Sequence, residues 1–156
     1  MTPLDSIRLL IVDDEQDFVE SLTKRLRRRG IICDGALNGT EALSRLRKQH
    51  SDVVLLDMLL PDLDGNTVLR EIKRQWPAIE VIILTGHVSV AAGQESLRAG
   101  AADYLVKPVE LETLLDKLAV LAGRIQQTHN KEVAAGIPAG APPSYPFQTI
   151  MEENHR

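Results

Sequence analysis

The chain has 156 residues, 44% of them hydrophobic and 26% charged, which suits one domain with a substantial core. A net charge of −4 gives no general argument for nucleic acid, and no apolar run approaches the ~20 residues of a membrane span. The single cysteine, Cys33, lies in an apolar stretch and excludes an internal disulfide; with no secretory leader pattern at the start, the expected compartment is a reducing cytoplasm.

Residues 1–7 read as a short lead-in. Arg8-Leu9-Leu10-Ile11-Val12 then predicts a buried strand that runs into Asp13-Asp14-Glu15. Phe18, Val19, Leu22 and Leu26 recur at helical spacing over residues 16–29, and Gly30 supplies a stop. The outer face of that helix carries Lys24, Arg25, Arg27, Arg28 and Arg29, a run that suits a solvated helix end complementing the macrodipole. Residues 31–36 predict a second strand. Asn38, with Glu41 three residues on, marks a helix start, and Ala42, Leu43 and Leu46 form its inner face.

Val53-Val54-Leu55-Leu56 is a strand apolar on both faces, and it ends in Asp57. A helix over about residues 66–75 follows and Pro77 prevents its continuation. Residues 80–84 predict a fourth strand, ending at Thr85-Gly86-His87. Residues 89–99 predict a poor helix with Gly93 inside it. Residues 103–106 predict a fifth strand, ending in Lys107-Pro108, and a long helix begins near Glu110. Its Leu111, Leu114, Leu118, Leu121 and Ile125 alternate in steps of three and four, which predicts packing on the sheet for Leu111 to Leu118, with a minority reading in which Leu121 and Ile125 pair between two chains. Strict alternation of strands and helices with short connections predicts an α/β fold, a doubly wound five-stranded parallel sheet flanked by five helices.

The composition changes after Gln127. Residues 1–127 read as the domain and residues 128–156 as an Ala/Gly/Pro-rich tail, with linker character at residues 136–143. Tyr145, Phe147, Ile150 and Met151 make an apolar cluster that is either disordered or a short docking anchor.

The ends of parallel strands share one edge, where open α/β sheets bind ligands. Asp13, Asp14, Asp57, Thr85 and Lys107 therefore converge. Singly each has a plain alternative: Asp13, Asp14 and Asp57 as caps, Thr85 as a turn residue, Lys107 as a surface charge. Together they describe a site. Crowded carboxylates need a cation, and an all-oxygen donor set suits a hard ion such as Mg²⁺. A carboxylate can be a nucleophile that forms an acyl phosphate, and lysine and threonine can stabilise the transferred group.

The acidic pair Asp13-Asp14, Asp57 with Pro61 and Gly65 after it, Thr85, Tyr104 and Lys107-Pro108 occur in this order over about residues 8–123. In this the chain resembles the response-regulator receiver domains, the CheY-like family of two-component signalling. The resemblance implies a flavodoxin-like sheet; its strand order is the family's and is not read from the residues. It implies that Asp57 accepts a phosphoryl group from a sensor histidine kinase or a phosphotransfer protein. It implies that Asp14, Asp57 and the Leu59 main-chain carbonyl hold Mg²⁺ directly, and Asp13 through water. Lys107 then pairs with the phosphoryl group, Thr85 turns toward it, and Tyr104 swings inward. The Lys107–Pro108 bond is expected to be cis, and positions 59 and 87 to tune the rate of phosphoryl loss.

The expected protein is no enzyme, although it assists its own phosphoryl transfer and loss. It is a single-domain regulator, monomer or weak dimer, which meets a protein partner through residues 89–123 without binding nucleic acid directly. The alternative is the receiver portion of a larger transcriptional regulator. An aspartate-nucleophile phosphatase is disfavoured, because it needs a carboxylate two residues after the nucleophile, where Leu59 stands.

Overall fold

In the computed structural model, which describes residues 3–86 and 90–136, each apolar run becomes a strand. After a 3₁₀ turn at Pro3–Ser6 come β1 (Arg8–Val12), α1 (Gln16–Arg28), β2 (Ile32–Ala36), α2 (Gly39–Lys48), β3 (Val53–Asp57), α3 (Gly65–Gln75), β4 (Glu80–Thr85), α4 (Val90–Arg98), β5 (Asp103–Val106) and α5 (Leu111–Ala134). All pairings are parallel and the strand order is β2-β1-β3-β4-β5, the flavodoxin-like arrangement. The expected fold class is the observed one.

The sheet is covered on both faces, so its central strands carry no polar face. Leu10, Val12, Val54, Leu56, Val81 and Ile83 form one core with Ala42, Leu43 and Leu46 of α2 and Val68, Leu69 and Ile72 of α3. The alternate residues Leu9, Ile11, Leu55 and Ile82 point to the opposite face and are equally buried. Val19, Leu22 and Leu26 of α1 and Leu114, Leu118 and Leu121 of α5 are buried as well. Cys33 is a small core residue. β2 is an edge strand, and Arg27 covers it: Nε and Nη2 donate to the Cys33 carbonyl at 3.2 and 2.8 Å.

Local signals explain the helix ends. Asn38 caps α2 by accepting from the Glu41 N–H at 2.7 Å, while Glu41 accepts from the Leu37 N–H. Gly30 ends α1 with φ +84°, a conformation that favours glycine. The Lys107–Pro108 peptide is cis.

The chain divides into two units, Met1–Gly123 and Arg124–Arg156, and the sheet belongs to the first. The last helix continues to Ala134, seven residues into the segment expected as tail. It stops just before Gly136, whose φ is +88°. His87, Ser89 at the expected start of α4, and the apolar cluster of residues 145–151 lie outside the described residues.

Candidate functional site

The strand ends bring the site residues to one edge. The Asp13 N–H donates to the Ala36 carbonyl at 3.1 Å, which extends the β1–β2 ladder by one residue and turns Asp13 inward. Asp57 is the last residue of β3, paired with Leu84 of β4. Thr85 is the last residue of β4, and its carbonyl accepts from the Lys107 N–H at 2.8 Å. The β4–β5 ladder therefore keeps Thr85 and Lys107 side by side.

Asp13 is fully buried and Asp57 is 4% exposed, whereas Asp14 lies in the open. Each offers a carboxylate oxygen, and the three oxygens lie within 4.8 Å of one another. Asp57 Oδ1 accepts from the Leu59 N–H at 3.0 Å, and Asp13 Oδ1 from the Glu15 N–H at 2.9 Å. The Lys107 ammonium stands 2.8 Å from Asp13 Oδ2, 3.3 Å from Asp57 Oδ2 and 3.3 Å from Glu15 Oε1. It also lies 5.3 Å from the centre of the Phe18 ring, within cation–π range.

Burial raises the Asp57 carboxyl pKa; the Leu59 N–H opposes this, the Asp13 charge adds to it, and Lys107 opposes it. Burial alone would lower the Lys107 ammonium, but Asp13 first, then Asp57 and Glu15, hold it above its usual range. Both can be raised because burial outweighs the help of Lys107 at Asp57, whereas several carboxylates together outweigh burial at Lys107.

The residues fit a hard divalent cation. Asp13 Oδ2 is buried without a hydrogen bond of good angle, since the 2.8 Å approach of Lys107 is off-axis. Lys107 sets one positive charge against three crowded carboxylates, so net negative charge is left at the site, an arrangement that suits a further cation. Among the described residues no histidine or cysteine joins the set.

Asp13, Asp14, Asp57 and Lys107 are thus brought together, with Thr85 next to Lys107 along the ladder. Tyr104 is separate: it lies on β5, 36% exposed. The Leu59 side chain is 77% exposed at the mouth, and its N–H meets Asp57. The sequence reading passed over Glu15 and Phe18, which flank Lys107. Their nearness to Asp13-Asp14 in the chain was the available signal. It also passed over Asp62.

The loop after Asp57 is tightly closed. Gly65 N–H donates to the Met58 carbonyl at 3.3 Å, and Leu59 bridges Asp64. A Cβ on Gly65 would lie 2.5 Å from Met58 Cα and 2.8 Å from its carbonyl oxygen, so only glycine allows this approach.

Comparison with known proteins places these features. The family model described as the response regulator receiver domain matches residues 9–119. The chain is 38% identical over 126 residues to the transcriptional regulatory protein ZraR of Escherichia coli, covering 81% of this chain and 28% of that one. It is 37% identical over 119 residues to the response regulator MprA of Mycobacterium ulcerans, covering 76% and 51%. Among solved structures, the CheY-like response regulator receiver domain protein of Methanospirillum hungatei superposes with a TM-score of 0.74 at 30% identity, over 78% of this chain and 98% of that one. The chain spans less than a third of ZraR and about half of MprA.

Proposed function

The chain belongs to the response regulator receiver family, and from that premise we propose that Asp57 accepts a phosphoryl group from the phosphohistidine of a sensor histidine kinase or phosphotransfer protein. The observation that carries this reading is the convergence of Asp13, Asp14, Asp57 and Lys107 at one sheet edge.

An Asp57 carboxylate oxygen attacks phosphorus. The phosphorus–nitrogen bond of the donor breaks, and an acyl phosphate is left on Asp57. Lys107 pairs with the phosphoryl oxygens and Thr85 turns its hydroxyl toward them. Asp14, Asp57 and the Leu59 main-chain carbonyl would hold Mg²⁺, with Asp13 helping through water. When bound, the ion offsets the charge of the carboxylates and of the phosphoryl oxygens. Receiver domains are signalling proteins rather than classical enzymes; help from this chain in losing its own phosphoryl group is part of the proposal.

The switch is read by a protein partner on the face formed by residues 89–123. Among the described residues of that stretch, Leu97, Tyr104, Val106 and Val120 are exposed large apolar side chains. Tyr104, outward here, swings inward with Thr85 on phosphorylation. The domain is residues 1–127. The protein acts in the cytoplasm as a monomer or weak dimer, with no direct contact to nucleic acid. Among the described residues no helix is long and apolar enough to cross a membrane.

The test is incubation with Mg²⁺ and acetyl phosphate followed by intact mass. The wild type gains one phosphoryl group and Asp57→Asn gains none; gain by both would move the acceptor elsewhere.

The greater length of ZraR and MprA favours a second reading, in which the chain is the receiver portion of a longer transcriptional regulator. Reading the gene beyond the codon for Arg156 decides between them.

A further inference from the structure

We propose that Asp62 is a positioning residue for the metal site: it staples the loop that carries Leu59 to the N-terminus of α2. The inference rests on the reading of Asp13, Asp14, Asp57 and the Leu59 carbonyl as Mg²⁺ ligands.

The Asp62 carboxylate accepts from the Gly39 N–H at 2.9 Å, the Thr40 N–H at 2.9 Å and the Thr40 hydroxyl at 2.6 Å. It also accepts from the Leu63 N–H at 2.9 Å. The hydroxyl bond comes first among the causes that hold this exposed carboxyl at a pKa of about 2.

α2 has its own cap. Asn38 accepts from the Glu41 N–H, but the N–H groups of Gly39 and Thr40, just before it in the same first turn, have no partner within the helix and lie at its positive end. Those two are the groups that Asp62 takes. The bonds that satisfy these two groups also fix the loop in place.

The loop needs one. Its base is closed by the Leu59–Asp64 bridge and by the Gly65 N–H to Met58 carbonyl bond. Asp62 sits at its tip, three residues past Leu59. The Leu59 side chain is mostly exposed, so its own packing does little to hold the main chain there. The tip instead presses against α2. A Cβ on Gly39 would lie 3.1 Å from Leu63 Cβ and 2.8 Å from a Val68 methyl, so the helix start and the loop are in close contact. Asp62 joins this contact by charge-assisted hydrogen bonds. Outer partners that orient metal ligands commonly change metal affinity 10–100-fold. Asp62 acts one step further out, through the backbone of Leu59, so the expected effect is smaller.

The test is calorimetric titration of the full chain with Mg²⁺ alone, well below the melting temperature, with melting followed in parallel. Asp62→Ala raises the Mg²⁺ dissociation constant about fivefold. Asp62→Asn keeps one of the two acceptor oxygens and loses the charge, so it recovers only part of the affinity and falls between alanine and wild type. Thr40→Val removes one bond only and gives a smaller rise in the same direction; it serves if the alanine variant does not fold. An alanine or valine variant that melts lower yet binds Mg²⁺ as the wild type does overturns the inference and leaves the metal site standing. A wild type that binds no Mg²⁺ overturns the reading of the site and the inference with it.

Discussion

Replacing Asp57 by asparagine is expected to stabilise the metal-free protein. Asp57 and Asp13 are both buried, with oxygens within 4.8 Å of each other. At an effective dielectric of ~20 that separation costs about 3.5 kcal/mol. Lys107, 3.3 Å from Asp57, returns about 5 kcal/mol on the same scale. The attraction leads by about 1.5 kcal/mol, and the loss of hydration, several kcal/mol for an ion in such a place, outweighs it. The upward direction of the Asp57 pKa agrees: the fold disfavours its charge. Asparagine keeps an acceptor for the Leu59 N–H and removes that charge. The expected gain at pH 7 without metal is about 1–3 kcal/mol, or roughly 3–10 °C in melting temperature for a domain of this size. The sign with pH follows from the raised folded value. The stability linked to Asp57 is fully present below the unfolded pKa of ~3.9 and is lost as pH rises through the folded one. The gap between variant and wild type therefore opens above pH ~4. Mg²⁺ at 100 times its dissociation constant adds about 2.7 kcal/mol to a protein that binds it. The variant lacks one of three carboxylates and gains less, so the gap closes or reverses. Melts in chelator and in Mg²⁺, from pH 4 to 8, read all of this. An asparagine variant that melts below the wild type in chelator, or answers Mg²⁺ equally, refutes the reasoning.

Three further outcomes are expected. Gly65→Ala places a Cβ against the Met58 backbone, which cannot give way cheaply, and should destabilise by about 1–3 kcal/mol in denaturant melts. Gly123→Ala, with open space around its Cβ inside α5, should stabilise by about 0.5–1 kcal/mol; equal effects at the two glycines would show that the close approach at Gly65 is not real. Asp62, with its pKa lowered to about 2, contributes stability that is present above pH ~4 and lost as pH falls toward 2. In acid titrations the advantage of wild type over Asp62→Ala should shrink across that window, whereas a constant advantage would mean that the charge plays no part.

Much of the fold was legible because its signals are local. The Asn38 and Glu41 spacing marks the start of α2, and in the structure Asn38 accepts from the Glu41 N–H while Glu41 reaches back to the Leu37 N–H. The doubly apolar run before Asp57 marks a central strand, and β3 has neighbours on both sides. The end of α5 was less legible. Composition turns polar after Gln127, yet nothing in residues 128–134 stops a helix, and it persists until a positive-φ glycine ends it. The partners of Lys107 were only half legible. That it meets Asp57 follows from the shared sheet edge; that it leans on Asp13, with Glu15 and Phe18 beside it, does not.

The sequence by itself determined where each strand ends and which chemical groups stand there, because periodicity and helix stops act over a few residues. In a parallel sheet all those ends must share one edge. Only the tertiary structure decided which groups touch. The 2.8 Å approach of Lys107 to Asp13 depends on how β5 and β1 are set across the sheet, and the hold of Asp62 on α2 depends on how a loop and a helix pack. Such distances come from the packing of elements remote in the chain, which no local spacing encodes.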